Sequence, residues 1–262
     1  MNWLVTPLAS TVWTKSPIRV FPLIVIPLEN LTDHHTFQRE NRDRRETTGS
    51  AMRVLTTDVL VRAYTMGLFP MARTRGDSKL YWIDPEERGI LPLPDFHVPR
   101  SLKKTLRQGR YRISVDTAFR AVMEGCAEAK TGREDTWING QIVDLFCQLH
   151  AMGLAHSVES WDGDRLVGGL YGLALGGAFF GESMFSRATD ASKVALVDLV
   201  ARLKLGGFLL LDTQFITEHL SRFGATEIPR HHYKLLLAAA LNEPAFFLPN
   251  PVDWSAALAP GP

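Results

Sequence analysis

The chain has 262 residues, 45% of them hydrophobic and 22% charged, with 29 basic against 28 acidic side chains for a net charge of +1. That length and apolar content allow one large domain or two smaller ones and exclude intrinsic disorder as the main state. The charge balance speaks against a uniformly nucleic-acid-coating protein but allows a local basic patch, and two cysteines, Cys126 and Cys147, supply neither a disulfide framework nor a CxxC pair.

In chain order, the first apolar run is 20–28 (VFPLIVIPL), preceded by Lys15 and Arg19. It falls short of the roughly 20 residues a membrane span needs, and Pro22 and Pro27 break it. The following ENLTDHH lacks the small-residue cleavage pattern of a signal peptide. The expectation is a cytoplasmic protein with two buried thiols and no membrane partner. A charge-dense stretch over 38–45 (QRENRDRR) has nothing to bury. Residues 1–51 are therefore read as a poorly ordered extension, or as the product of an over-early start with Met52 near the true beginning.

Patterning begins at Thr56. Thr57 as cap, Gly67 as stop and Pro70 beyond predict a helix over 58–66. An extended aromatic piece, 80–83, ends at Asp84-Pro85. A short helix over 100–108 closes at Gly109. Asp116 reads as the cap of a helix burying Phe119, Val122, Met123 and Cys126, and Asn139 as the cap of one burying Ile142, Leu145, Phe146 and Leu149, with Gly153 as its stop. The period then changes. Strands over 155–161, 165–175 and 178–185, joined by Asp162-Gly163-Asp164 and Gly176-Gly177, predict an antiparallel meander. A helix from the cap Asp190 to Leu205 is apolar on nearly all sides and so buried. Gly206-Gly207 ends it, and a strand over 208–211 and helices over 216–222 and 230–241 follow. These elements define an α+β fold with mixed sheet pairing.

Three places could carry chemistry. Glu182 lies in an apolar, glycine-containing strand, where a carboxylate is costly to bury without a cation or hydrogen-bond donors; the plainer alternative is the solvated face of an edge strand. Asp212, with Gln214 two residues on, ends a hydrophobic strand, a common location for an active site; alternatively, Asp212 caps the next helix. The segment from Arg100 to Arg112 holds six basic residues in thirteen and no acid, and Arg100, Lys103, Lys104 and Arg107 share one helical face. Such a face suits phosphates, or is simply solvated. His231-His232 point apart, His34-His35 belong to the extension, and His156 and His219 read as hydrogen-bonded structural residues. No zinc spacing, GxGxxG, Walker loop or GxSxG elbow is present.

Over about 56–241 the chain resembles the leucyl/phenylalanyl-tRNA–protein transferase family. The resemblance rests on Ala63-Tyr64 with Gly67-Leu68-Phe69-Pro70, Thr136-Trp137-Ile138, 155–159 (AHSVE), 166–172 (LVGGLYG) and 180–186 (FGESMFS). It continues through Ala191-Ser192-Lys193, Asp212 with Gln214, Gly224-Ala225 and Ile228-Pro229-Arg230. It implies a small N-terminal domain (52–86) followed by a GNAT-like, acyl-CoA N-acyltransferase-like domain (87–262). The implied reaction moves Leu or Phe, less so Met, from aminoacyl-tRNA to the α-amine of proteins beginning with Arg or Lys, marking them for N-end rule degradation. No cofactor and no metal are implied, and a monomer is expected. An activated ester needs no ATP. The Q/R-x-x-G-x-G/A pyrophosphate loop of an acetyl-CoA enzyme is missing from 187–192 (RATDAS). An acetyl-CoA-dependent acetyltransferase and a non-catalytic tRNA- or N-terminus-binding adaptor are the competing readings.

Carried over by position, the resemblance makes Asp212 and Gln214 the base and proton relay, with Glu182 and Asp212 as counter-charges for the basic substrate. The alternative is that a tRNA ribose hydroxyl assists the proton transfer. Leu170, Phe179, Met184, Leu196, Leu199, Leu203 and Leu211 would form the donor side-chain pocket. Trp137 and Met71 would meet the adenosine, and Arg100, Lys103, Lys104 and Arg107 the tRNA. The chain departs from the family at Met71, where a tryptophan is usual, at Tyr81-Trp82-Ile83-Asp84-Pro85, and at 54–58 (VLTTD), where the family has Gly-Gly-Asp.

Overall fold

The computed structural model describes residues 24–26, 55–129 and 134–255. The expectations for residues 1–51, His34 and His35 included, lie outside the described residues except for the strand at 24–26. In chain order the elements are β1 (Ile24–Ile26), α1 (Thr57–Thr65), β2 (Phe69–Ala72), β3 (Leu80–Asp84), β4 (Glu87–Ile90), α2 (Arg100–Arg107), β5 (Arg112–Val115), α3 (Phe119–Ala127) and α4 (Gly140–Ala151). The meander follows as β6 (Ala155–Asp162), β7 (Arg165–Leu175) and β8 (Ala178–Ser186). Then come α5 (Ala191–Leu205), β9 (Leu210–Gln214), α6 (Glu218–Ser221), β10 (Thr226–Pro229) and α7 (Arg230–Leu241).

A three-stranded sheet runs β1-β3-β2 and a seven-stranded sheet β10-β4-β9-β8-β7-β6-β5. Within the larger sheet only β8 and β9 run parallel, so the fold is α+β with a mixed sheet. Strand alternation sends neighbouring residues to opposite faces. Tyr171 and Phe180 join a core with α1, α3, α4 and α7, whereas Leu170 and Phe179 join one with α2 and α5. The smaller sheet enters the first core through Phe69, Trp82 and Ile83.

Local chemistry moves several boundaries. Thr56, not Thr57, caps α1, its hydroxyl accepting the Val59 N–H at 3.4 Å. Asp116 caps no helix; α3 starts at Phe119, and Asp116 (φ +58) accepts the Ser157 N–H at 2.9 Å and meets His156 Nδ1 at 2.8 Å. Asn139 does cap α4, accepting from Ile142 at 2.9 Å. Asp190 stands at the head of α5 with φ +65, but its carboxylate takes Lys193 and the Thr105 hydroxyl instead of the helix end. Twelve of the fifteen α5 residues are buried, including Asp198 and Arg202, which pair at 2.5 Å. Of the thiols, Cys126 is buried and Cys147 only half-buried.

Strand β9 runs through Gln214 instead of stopping at 211, and Thr217 caps α6. Asp212 is thus a strand residue and not a cap. Strands β2, β4, β5 and β10 have four residues each, too short for a period to show. In β4, a Cβ on Gly89 would stand 2.6 Å from the Phe215 carbonyl carbon, so only glycine lets β4 close on β9.

Candidate active site

Strands β8 and β9 pair only through Ala178↔Leu210, Phe179↔Leu211 and Phe180↔Asp212. Beyond that point they part around a cavity of about 520 Å³. Its apolar wall includes Leu170 from β7, Met184 from β8, Leu196 and Leu199 from α5, and Leu211 from β9. Five of the seven expected pocket residues are thus gathered. Phe179 and Leu203 are not; both are fully buried behind the wall, Phe179 against Phe208 and Phe247. Met71 and Trp137 line the cavity together with Phe69. The Trp137 carbonyl accepts the Ala72 N–H at 3.4 Å, tying Trp137 to the small sheet.

Glu182 reaches the cavity through a bulge. Tyr171 pairs with Ser183 but Gly172 with Gly181, so Glu182 is the extra residue on β8. A bulge of this kind re-aims a side chain. Glycine is required opposite it, since a Cβ on Gly172 would fall 2.3 Å from the Phe180 carbonyl oxygen. Strand β8 is interior to the sheet, so Glu182 is not on an edge strand. The Tyr64 hydroxyl of α1 donates to Glu182 Oε1 at 2.6 Å. Burial pushes the Glu182 carboxyl up to about 8; the Tyr64 hydrogen bond and Arg88 pull it down, and Asp212 pushes it up.

Asp212 is fully buried and does not line the cavity. Its Oδ1 accepts from Arg88 Nε and from the Gln214 backbone N–H, both at 2.9 Å. Its Oδ2 accepts from Arg88 Nη2 at 2.6 Å and from the Tyr233 hydroxyl at 2.7 Å. Arg88 also donates to the Gly67 carbonyl at 3.0 Å and lies over the Phe69 and Tyr233 rings. Burial works against the Arg88 charge, but Asp212 outweighs it and holds the guanidinium protonated. Sequence reasoning missed Arg88; its signal was a lone cation followed by glycine ahead of the apolar Ile90-Leu91.

Gln214 does line the cavity. Its backbone sits in the left-handed region at φ +57, rare for a residue with a side chain, and its hydrogen bond to Asp212 holds it there. Its side-chain Nε2 is buried without a partner, as are Thr213 Oγ1, the Tyr171 hydroxyl and His219 Nε2, all four from cavity-lining residues. A polar atom left so costs about 1–3 kcal/mol, so each of these groups is open to a hydrogen bond with a molecule in the cavity. Tyr171 was also missed. It is fully buried, braced by edge contacts with Phe119 and Phe146, and burial and then Glu182 push its hydroxyl well above the usual tyrosine range. His156 bonds Asp116 as expected of a structural histidine; His219 instead faces the cavity, held below the usual histidine range by burial and then by Lys193 and Arg222.

Arg100, Lys103, Lys104 and Arg107 lie on α2, away from the cavity lining. Leu102 and Leu106 bury its other side, and Thr105 bonds Asp190 at 3.2 Å at the head of α5. Among the described residues no three His, Cys, Asp or Glu side chains gather as a metal ligand set. No helix among them is long and apolar enough to cross a membrane.

An apolar chamber with a carboxyl on its wall, on this α+β frame, fits an enzyme pocket that takes an apolar group next to an acid–base side chain. The comparisons name its kind. The leucyl/phenylalanyl-tRNA protein transferase family model matches residues 90–238, and that of the family's N-terminal domain matches 53–86. A leucyl/phenylalanyl-tRNA–protein transferase of Paramagnetospirillum magneticum is 64% identical over 208 residues, spanning 79% of this chain and 100% of its own. Those of Caulobacter vibrioides (60% over 192 residues; 73% and 88%) and Rhodospirillum rubrum (57% over 204; 78% and 96%) are similar. The chain belongs to the leucyl/phenylalanyl-tRNA–protein transferase family and is an aminoacyltransferase.

Proposed function

We propose that this enzyme transfers Leu or Phe, and less readily Met, from aminoacyl-tRNA to the α-amine of proteins beginning with Arg or Lys, in the cytoplasm, marking them for N-end rule degradation. The observation that carries the reading is the apolar cavity with the Glu182 carboxyl on its wall. Leu170, Met184, Leu196, Leu199 and Leu211 take the donor side chain, and Met71 and Trp137 the terminal adenosine. Arg100, Lys103, Lys104 and Arg107 meet tRNA phosphates further out. The preference for Arg or Lys at the acceptor rests on the family resemblance.

In the reaction the amine lone pair attacks the ester carbonyl carbon. The new C–N bond forms, the C–O bond to the ribose breaks, and the proton leaving nitrogen ends on the ribose oxygen. The acceptor α-amine ordinarily titrates near 7.7–8.0, and Glu182 near 8 is matched to carry that proton. Gln214 offers its unpartnered amide N–H to the charge developing on the carbonyl oxygen. Asp212, expected as the base, acts from behind: its oxygens are occupied by Arg88, Tyr233 and the Gln214 N–H, so it positions Gln214. A division of the chain at residue 86 is supported by its crossing there from the smaller sheet to the larger.

The test is transfer of labelled Leu or Phe from charged tRNA to a peptide beginning with Arg, without ATP. Transfer is expected with Arg- and Lys-starting peptides and not with acidic starts. Failure with several such peptides would overturn the reading.

A further inference from the structure

The small sheet carries one face from the cavity out to solvent. In the antiparallel pair of β2 and β3, Phe69 stands opposite Ile83 and Met71 opposite Tyr81. Opposed residues project to the same side, and alternate residues share it. Phe69 and Met71 line the cavity, so Tyr81 stands on that side, one strand away. Over its ring lie two cations, the Arg73 guanidinium at 4.7 Å from the centroid and the Lys79 ammonium at 5.5 Å. Lys79 is exposed, Arg73 and Tyr81 are half-buried, and neither cation forms an ion pair among the described residues. The nearby Asp77 carboxylate accepts the Lys79 backbone N–H at 2.8 Å.

Two unpaired cations braced on an aromatic ring, on a face that continues the apolar wall of the cavity, match a single-stranded nucleic acid, which offers phosphates beside π-faces. An acidic peptide would satisfy the cations but gives no reason for the face to continue the wall formed by Phe69 and Met71. We propose that Arg73, Lys79 and Tyr81 hold the single-stranded segment of the donor RNA immediately preceding its terminal adenosine. Arg73 and Lys79 take its phosphates, and the Tyr81 ring beneath them holds the two cations in place. This rests on the reading of the donor as aminoacyl-tRNA with its adenosine at Met71 and Trp137.

The experiment compares two donors, full-length charged tRNA and an aminoacyl-adenosine without phosphate, in the protein and in the Arg73→Ala/Lys79→Ala double variant. With tRNA the double variant is expected to raise KM about tenfold and make the salt slope shallower by about 1.4, or 0.7 per single-strand phosphate contact. Transfer from the aminoacyl-adenosine should keep its KM. Tyr81→Ala should weaken tRNA use, and Tyr81→Phe should restore it. An unchanged tRNA KM and slope, or an equal loss with both donors, overturns the proposal. Direct binding of deacylated tRNA across a salt series keeps the outcomes apart: if neither donor supports transfer, the function proposed above fails, while this surface still stands or falls on the binding slope of the double variant. If the double variant loses an acidic peptide but binds tRNA as before, the face belongs to a protein partner and the proposal is wrong.

Discussion

Arg88 and Asp212 close a two-pronged ion pair, Nε to Oδ1 at 2.9 Å and Nη2 to Oδ2 at 2.6 Å, with both side chains at most 1% exposed. It joins β4 to β9 directly behind Gln214. Removing one partner of such a buried pair leaves an unpaired charge and costs about 3–5 kcal/mol. Asp212→Ala should therefore lose activity and stability together, with Tm lower by roughly 10 °C for a chain of this size. Replacing both partners by apolar residues, Arg88→Met with Asp212→Leu, should recover much of the Tm and none of the turnover. If Asp212→Ala abolishes transfer at unchanged Tm, Asp212 works at the reacting atoms and not through Gln214.

The Glu182 carboxyl, pushed up to about 8, gives two opposite pH trends. Proton acceptance needs the ionised form, so kcat should rise with pH and level off above about 8, and Glu182→Gln should lose both the rate and that rise. Stability goes the other way. The folded state binds this proton more tightly than the unfolded chain, whose carboxyl titrates at the ordinary 4.5. Its contribution is thus complete below about 4.5 and is lost as pH rises through 8. A Tm series should show Glu182→Gln gaining on the unmodified protein across that window; a pH-independent difference would contradict the shift.

Tyr171 offers a cleaner separation of function from folding. Its hydroxyl has no partner and its ring is braced by Phe119 and Phe146. Tyr171→Phe keeps the packing and removes an unsatisfied group, so Tm should hold or rise. Turnover should drop by about tenfold or more if that hydroxyl meets the reacting groups. Unchanged kcat and KM would make it a bystander.

Donor choice should answer to Met184, which lines the cavity and is half-buried. Met184→Ala enlarges the chamber at small cost to the core. The kcat/KM ratio of Phe to Leu donors should rise, within the 10–200-fold range that a hydrophobic pocket can discriminate. A uniform fall for both donors would place the side chain elsewhere.

The meander, the buried helix α5 and the capped helix α4 were legible because each spans enough residues for a period to show. Glu182 was legible as a carboxylate in the wrong company. Its bulge was not, because an extra residue in a strand leaves no mark until the partner strand is known. Arg88 and Tyr171 escaped for a related reason. Arg88 finds Asp212 124 residues away, and the rings that brace Tyr171 come from α3 and α4, earlier in the chain. Conversely, Asp212 was legible as a polar residue ending an apolar strand, but not the donors on it, because Arg88 and Tyr233 come from β4 and α7.

The basic face of α2 supplies the last prediction. Arg100, Lys104 and Arg107 are exposed and Lys103 half-buried, and none of the four forms an ion pair among the described residues. Leu102 and Leu106 anchor the opposite side, so neutralising the cations should leave the helix in place. Each contact with a duplex phosphate contributes about 0.9 to the salt slope of binding, against 0.7 for a single strand. Changing Lys103, Lys104 and Arg107 to Gln should thus weaken tRNA binding and make the slope shallower by two to three, if all three meet the double-stranded stem. Transfer from an aminoacyl-adenosine should be unaffected, since the face lies outside the cavity lining. Combined with Arg73→Ala/Lys79→Ala, the slope changes should add, because the two surfaces touch different phosphates. A triple variant that binds tRNA with the unmodified slope would make this helix face a solvated one and move the stem elsewhere.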